Sequence, residues 1–410
     1  MPYNNSRGRS SFGGPRSFGG GAPSASYNGR SMGPAPRRGA RKKENIHPSK
    51  FIKAARSVEV VEYVPVNKFS DFAVTPLLHE NIIKKGFVIP SPIQDEAIPQ
   101  GLLGHDVIGI ANTGTGKTVA FAVPMLDKLI ANPASSALIM APTRELALQI
   151  QEECKMLARG SGLMGALLIG GAPMMPQLRD LKNKPSVVIG TPGRIKDHLE
   201  RGSLDLSKFD IVVLDEVDRM LDMGFVNDMR IILARLAEKR QSYFFSATMD
   251  PKVRTLINDF SVDPVMISVK TGDTTDNVEQ NVVVYTPGGE KIEKLHDILM
   301  SGTAPKVLIF DDTQRAVERL SEVLQDRGFK ADSIHGGKSQ GQRQRALDKF
   351  KSNQTNILVA TDVAARGIDI KDISHVINYS TPQSYSDYVH RIGRAGRAGN
   401  TGNALTFIEK

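Results

Sequence analysis

At 410 residues the chain is too long for one ordinary core, which argues for about two domains. It is 40% hydrophobic and 24% charged, with no apolar run of membrane-span length and no secretory-type start, and its lone cysteine, Cys154, excludes an internal disulfide or a multi-cysteine metal site; the cytoplasm is the expected compartment. The formal charge of +9 sits in residues 1–50, with ten Lys/Arg against one acid, and the remainder balances at 43 of each sign.

Residues 1–50 are predicted to be a disordered basic arm. Gly, Ser, Pro, Arg and Asn dominate, Ser11–Gly20 is a crude repeat, and such a composition cannot bury enough apolar surface to offset its ordering entropy. Arg charges for phosphates, with Phe12, Phe18 and Tyr27 for stacking, suit an RNA-attracting arm. A solubilising tail fits the composition equally.

Residues 51–269 read as a first α/β domain. Two prolines around Ser91 set a rigid turn before a helix predicted to start near Ile93. The turn would hold Gln94 with its amide pointing out, where a donor and an acceptor match an adenine edge, and Phe87 or Phe69 would offer a stacking face. An ordinary helix-entry turn has the same sequence. Next, the apolar run Asp106–Ile110 reads as a buried strand followed by Ala111, Asn112, Thr113, Gly114, Thr115, Gly116, Lys117 and Thr118, then by helix-forming residues. Strand, glycine loop and helix is the context of a phosphate-binding loop. Lys117 would reach the terminal phosphates, and the Thr118 hydroxyl would hold Mg²⁺.

Further strands are predicted at Ala137–Ala141, before Gly170 and Gly171, and at Ser186–Gly190, each running into Thr, Arg or Gly. Strands alternating with helical stretches argue a parallel sheet, with ligands at the strands' carboxyl ends. Ile211–Leu214 delivers Asp215, Glu216, Val217 and Asp218. Asp215 would hold Mg²⁺ opposite Thr118, and Glu216 would deprotonate a water for attack on the γ-phosphate. Tyr243–Phe245 leads to Ser246 and Thr248, whose hydroxyls suit hydrogen bonds to Asp218. After a helix and a final strand within Pro251–Val269, residues 270–279 are a linker by composition.

Residues 280–410 repeat the alternation, with strands predicted at Val282–Tyr285, Lys306–Phe310, Lys330–His335, Asn356–Ala360 and His375–Tyr379. There is no second phosphate loop. Instead Arg391, Arg394 and Arg397, spaced by three, would aim guanidinium groups at a phosphate supplied by the other domain. A basic surface helix is the plainer alternative.

Together these stretches resemble the DEAD-box ATP-dependent RNA helicases over roughly residues 69–408. The matching elements are Phe69 with Gly86–Gln94, Ala111–Thr118, Pro142–Ala147, Gly170-Gly171, Thr191–Arg194, Asp215–Asp218, Ser246–Thr248, His335-Gly336 with Gln340 and Arg343, Thr361–Asp369 and His390–Arg397. One letter departs: Val217 stands where the family name has Ala, while the three acids are unchanged.

The resemblance implies two RecA-like domains, ATP in the cleft between them and RNA across both. Gln94, Phe69 and Phe87 would recognise adenine, Asp369 the ribose, and Arg394 and Arg397 the γ-phosphate. Asp218, Ser246, Thr248 and His390 would couple hydrolysis to unwinding. Thr143, Arg144, Gly171, Thr191, Arg194, Thr361 and Gly367 would contact the RNA backbone, making recognition sequence-tolerant and shape-sensitive. The expected function is ATP-driven unwinding of short RNA duplexes or remodelling of RNA–protein complexes by a monomer with no membrane partner. The runner-up is an ATP-gated RNA clamp or scaffold that never separates strands, and a DNA helicase is a third reading. Because Lys410 lies just past the last motif, no C-terminal specificity domain is expected.

Overall fold

The computed structural model describes residues 46–55, 63–112, 114–269, 277–365, 370, 372–396 and 401–410. The expectations for residues 1–45, Thr113, the linker residues 270–276, Gly367, Asp369 and Arg397 lie outside the described residues. No described helix is long and apolar enough to cross a membrane.

The first half contributes strands β1 (Val107–Ile110), β2 (Ala137–Met140), β3 (Gly165–Leu168), β4 (Val187–Gly190), β5 (Ile211–Leu214), β6 (Gln241–Ser246) and β7 (Val265–Ser268). Among the described residues they form one parallel sheet in the order β3-β4-β2-β5-β6-β1-β7. Every side chain of β1, β2, β4 and β5 is buried, as in a sheet covered by helices on both faces. Ala137, Ile139 and Val213 enter one apolar layer, while Leu138, Met140 and Val212 enter the other. The strand order matters for chemistry. β5, β6 and β1 are adjacent, with Ile110 in register with Ser246, so the loops after these strands open side by side.

The second half contributes β8 (Val278–Tyr285), β9 (Val307–Phe310), β10 (Ala331–Ile334), β11 (Ile357–Ala360), β12 (His375–Asn378) and β13 (Gly402–Glu409), all parallel, in the order β10-β11-β9-β12-β13-β8. Sequence reading missed β13 and found only half of β8. These strands pair with each other over eight residues, Gly402–Glu409 against Val278–Tyr285. Their alternating burial and polar residues made each look like loop when taken alone. The expected linker therefore loses its last two residues, Val278 and Glu279, to β8.

A second boundary also moves. Residues 48–50, expected in the disordered arm, and 51–53, expected in the first half, pack with the second half: Pro48–Phe51 is a 3₁₀ turn, and Lys53 exchanges both backbone hydrogen bonds with Gln280 on β8, at 3.0 and 2.8 Å. Phe51 is 1% exposed and meets the Tyr388 ring edge-on at 4.7 Å, inside the second half's core. A single aromatic next to a basic arm carries no periodicity, so only its tertiary partner reveals where it packs.

Candidate active site

The phosphate loop follows β1, and the helix Lys117–Ala131 begins at Lys117 itself. Gly116 has φ +91°, and a Cβ there would stand 2.3 Å from Gln94 Nε2, so this position requires glycine twice over. Lys117 is buried, with Nζ donating to the Ala111 carbonyl at 3.1 Å. Thr118 occupies the second position of the same helix. Asn112, Gly114 and Thr115 complete the described loop, the Thr115 hydroxyl donating to the Asn112 carbonyl at 2.8 Å.

Gln94 does not point outward as expected. It lies in the first turn of helix Pro92–Leu102; its Oε1 accepts from Ser91 N–H at 2.9 Å and its Nε2 donates to the Gly116 carbonyl at 3.1 Å. Ser91 Oγ donates to the Thr115 carbonyl at 2.7 Å. The turn is thus laced to the phosphate loop, leaving Gln94 one amide N–H for a base. Next to it, Asp95 accepts from Tyr63 Oη (2.5 Å), Val66 N–H (2.7 Å), and both Asn67 N–H (3.0 Å) and Nδ2 (2.7 Å). Asp95 was not picked out from sequence. Of the two aromatic candidates, Phe69 is 1% exposed and stacked on Phe87 at 5.2 Å, so only Phe87 keeps exposed surface.

The acids follow β5. Burial pushes the Asp215 carboxyl up to about 6, against the pull of Lys117. Burial acts the same way on Glu216, but Arg219, then Lys117, Arg394 and His390, hold it below the usual carboxylate range. Two of those residues, Arg394 and His390, come from the second half. Asp218 Oδ2 accepts from Ala247 N–H (3.1 Å), Thr248 N–H (3.0 Å) and Thr248 Oγ1 (3.1 Å), while Ser246 Oγ faces Asp218 N–H at 3.4 Å and donates to the Thr248 carbonyl. This acid therefore ties β5 to β6. Val217 is buried in the apolar layer beneath.

The two described arginines do not act alike. Arg391, 1% exposed, gives Nε and Nη2 to both oxygens of Asp362 (2.6 and 2.7 Å) and Nη1 to Asn378 and Ser380. It is spent within its own half and is removed from the set aimed at phosphate. Arg394, just beyond helix Tyr385–Ile392, and His390, on that helix, lie close enough for their charges to act on Glu216.

Thr143, Arg144, Gly171, Thr191 and Arg194 lie beyond the carboxyl ends of the adjacent strands β2, β3 and β4. Thr143 caps helix Arg144–Leu157 through Leu146 N–H, and Thr191 precedes helix Pro192–Glu200. Arg144 crosses Gly171, where a Cβ would stand 2.1 Å from its Nη1. Burial, then the charges of Arg343 and Arg194, push the Arg144 guanidinium down, so three arginines from both halves share one region. Crowded like charges of this kind fit a polyanion. Thr361 lies after β11, its carbonyl accepting from Ala364 and Ala365.

The motif that holds Gln340 and Arg343 assigns them no role by sequence alone. Across the seam, Arg343 Nη2 lies 2.7 Å from Glu145 Oε2, with side chains 7% and 1% exposed, and Gln340 Nε2 is 3.4 Å from Glu145 Oε1. A groove of about 620 Å³ opens beside this pair between helices Arg144–Leu157 and Gln340–Lys351. Among the described residues of the phosphate loop, Thr118 alone lines it.

The donor set fits a magnesium–triphosphate. Among the described residues no three His, Cys, Asp or Glu converge as a protein cage. Mg²⁺ needs none, since one or two protein ligands with phosphate oxygens and waters complete its octahedron.

Two family models match the chain: DEAD/DEAH box helicase over residues 91–256, and helicase conserved C-terminal domain over 290–399. The ATP-dependent RNA helicase CshA of Listeria monocytogenes is 42% identical over 345 residues, 84% of this chain; the chain spans 66% of that relative's length. The crystal structure of a DEAD box protein from Methanococcus jannaschii is 38% identical, covering 85% of this chain and 94% of that one, with a TM-score of 0.50. This chain is a DEAD-box helicase.

The DEAD-box helicase Mss116 bound to ssRNA and UDP-BeF is 30% identical, covers 85% of this chain and 77% of its own, and superposes with a TM-score of 0.76. Both halves of this DEAD-box chain are RecA-like α/β domains, and the family is one of ATP-dependent RNA helicases.

Proposed function

We propose that this chain hydrolyses ATP between its two halves to unwind short RNA duplexes or remodel RNA–protein complexes. The observation that carries the reading is the seam: Glu216 of the first half lies within the charge field of Arg394 and His390 of the second. The RNA-bound relative superposes better than the more identical Methanococcus protein, which supports a closed arrangement of the halves.

Lys117 and the helix N-terminus hold the β- and γ-phosphates, and Gln94 with Phe87 orients adenine. Thr118 and Asp215 would hold Mg²⁺, which neutralises phosphate charge. Glu216 orients the attacking water and accepts its proton. Arg394, with Arg397 and with Asp369 on the ribose, completes the site from the second half. Asp218, Ser246, Thr248 and His390 transmit closure. Thr143, Arg144, Gly171, Thr191, Arg194, Thr361 and Gly367 hold the RNA backbone, so recognition follows A-form shape and 2′-hydroxyls. A monomer working in the cytoplasm belongs to the same proposal; burial pushes the Cys154 thiol up to about 12, consistent with inert packing.

The test is strand displacement on a short RNA duplex with ATP, beside RNA-stimulated phosphate release. Glu216→Gln should lower turnover by ~10²–10⁴ while leaving ATP and RNA bound. RNA-stimulated hydrolysis without displacement would instead support the clamp reading, and normal turnover in Glu216→Gln would remove Glu216 as the base.

A further inference from the structure

Arg219 is a buried cation that none of these steps uses. It follows Asp218 in helix Val217–Asp222 and is 3% exposed. Its Nε lies 3.3 Å from Glu216 Oε2, both side chains being 4% exposed; the contact is an ion pair, since neither Nε nor Nη1 has an aligned hydrogen bond among the described residues. A guanidinium this deep persists only if its charge is compensated. Its backbone N–H donates to Asp218 Oδ1 at 2.9 Å, which fixes the residue at its root.

Glu216 occupies left-handed backbone at φ +54°, ψ +54°. For a non-glycine residue this backbone is unfavourable and lasts only where the surroundings hold it. Its N–H donates to Asp215 Oδ1 at 2.9 Å, and its carbonyl accepts from Met220 at 3.1 Å. Those bonds fix the backbone; orienting the carboxylate takes a side-chain partner. Arg219, three residues on and so on the same helix face, is placed to do that.

On its far side Arg219 closes a cavity of about 10 Å³ whose other lining comes from the second half, including Phe310, Asp387, His390 and Arg394. A space of this size is at the limit for one water. At 3% exposed, Arg219 has protein groups as its neighbours.

We propose that Arg219 is a positioning residue for the general base: it clamps the Glu216 carboxylate in the orientation that receives the water's proton, and closure of the second half keeps the clamp dry. Lys117 and Arg394 also act on Glu216, but both are committed to phosphate in the proposed mechanism. The inference rests on Glu216 being the base.

A double-mutant cycle tests it, using Arg219→Met, Arg219→Lys, Glu216→Gln and Arg219→Met/Glu216→Gln in the full chain, with single-turnover phosphate release at saturating RNA. Misplacing a reacting group by about 1 Å costs up to ~10²-fold, so Arg219→Met should lose ~10–100-fold in rate. Binding of a fluorescent ATP analogue, and of RNA with a non-hydrolysable analogue, should stay within about twofold. Arg219→Lys should recover part of the rate. In the Glu216→Gln background Arg219→Met should cost nothing further. An equal loss in both backgrounds, or a parallel loss of nucleotide and RNA binding, overturns the clamp. If Arg219→Met does not fold, Arg219→Gln takes its place in the cycle. Normal turnover in Glu216→Gln alone identifies failure of the base assignment instead.

Discussion

Arg343→Met is the sharpest probe of the seam. Arg343 Nη2 and Glu145 Oε2 are 2.7 Å apart and almost wholly buried, yet neither Glu145 Oε2 nor Arg343 Nε has an aligned hydrogen bond. Removing one partner of a buried pair costs ~3–5 kcal/mol, and the poor alignment argues for the low end, about 3 kcal/mol. Glu145 escapes that cost if the halves separate, since it can then hydrate. The penalty therefore falls on closure rather than on the folding of either half. At 1.4 kcal/mol per decade, about 3 kcal/mol corresponds to ~100-fold. RNA affinity measured by fluorescence anisotropy should thus fall ~100-fold with a non-hydrolysable ATP analogue and change little without nucleotide. Arg343 also shares a region with Arg144, so direct RNA contact must be separated from closure. The double variant Arg343→Met/Glu145→Leu does this, because replacing both ions with apolar groups is often neutral. It should regain most of the nucleotide-coupled affinity. Unchanged coupling in Arg343→Met, or no recovery in the double variant, refutes the reasoning.

Gln94→Ala removes the link to the Gly116 carbonyl and, on the proposed reading, the adenine contact, so ATP turnover should fall and GTP turnover fall less; equal rates of the two nucleotides in the intact protein would reduce the turn to a helix start. Phe51→Ala deletes a buried aromatic, a change that costs ~3–5 kcal/mol in a core, and should lower the melting temperature while ATP affinity holds. An unchanged melting curve would mean the 3₁₀ turn is not seated on β8. Deleting residues 1–45, which carry nine of the arm's ten Lys/Arg, should weaken RNA binding and flatten its salt dependence, at ~0.7 in slope per phosphate contact on single strands. Identical slopes for the full and shortened chains would leave the arm a solubilising tail.

Much of the candidate site is legible in the sequence because its parts are local. A phosphate loop needs strand, glycines and helix in immediate succession, and the acids need only a buried strand that ends on them. Continuous apolar runs found β1, β2, β4, β5 and β9, since a strand buried on both faces advertises itself whatever it pairs with. Even Arg219 left a trace, three residues after Glu216.

Pairings between distant segments decided the rest. β8 and β13 are mutually half-buried strands 124 residues apart at their starts, and neither has a pattern without the other. Arg391 and Arg394 look equivalent in a repeat of three, yet helix geometry turns one into Asp362 and leaves the other at the seam. Gln94 has free amide groups on paper, and only the approach of the Gly116 carbonyl assigns one of them. Phe51 and the Glu145–Arg343 pair show the same limit. Sequence determines what each residue can do chemically and what its near neighbours are. Which distant group it meets is set by where the chain's burial energy brings the two sheets, and no local pattern contains that.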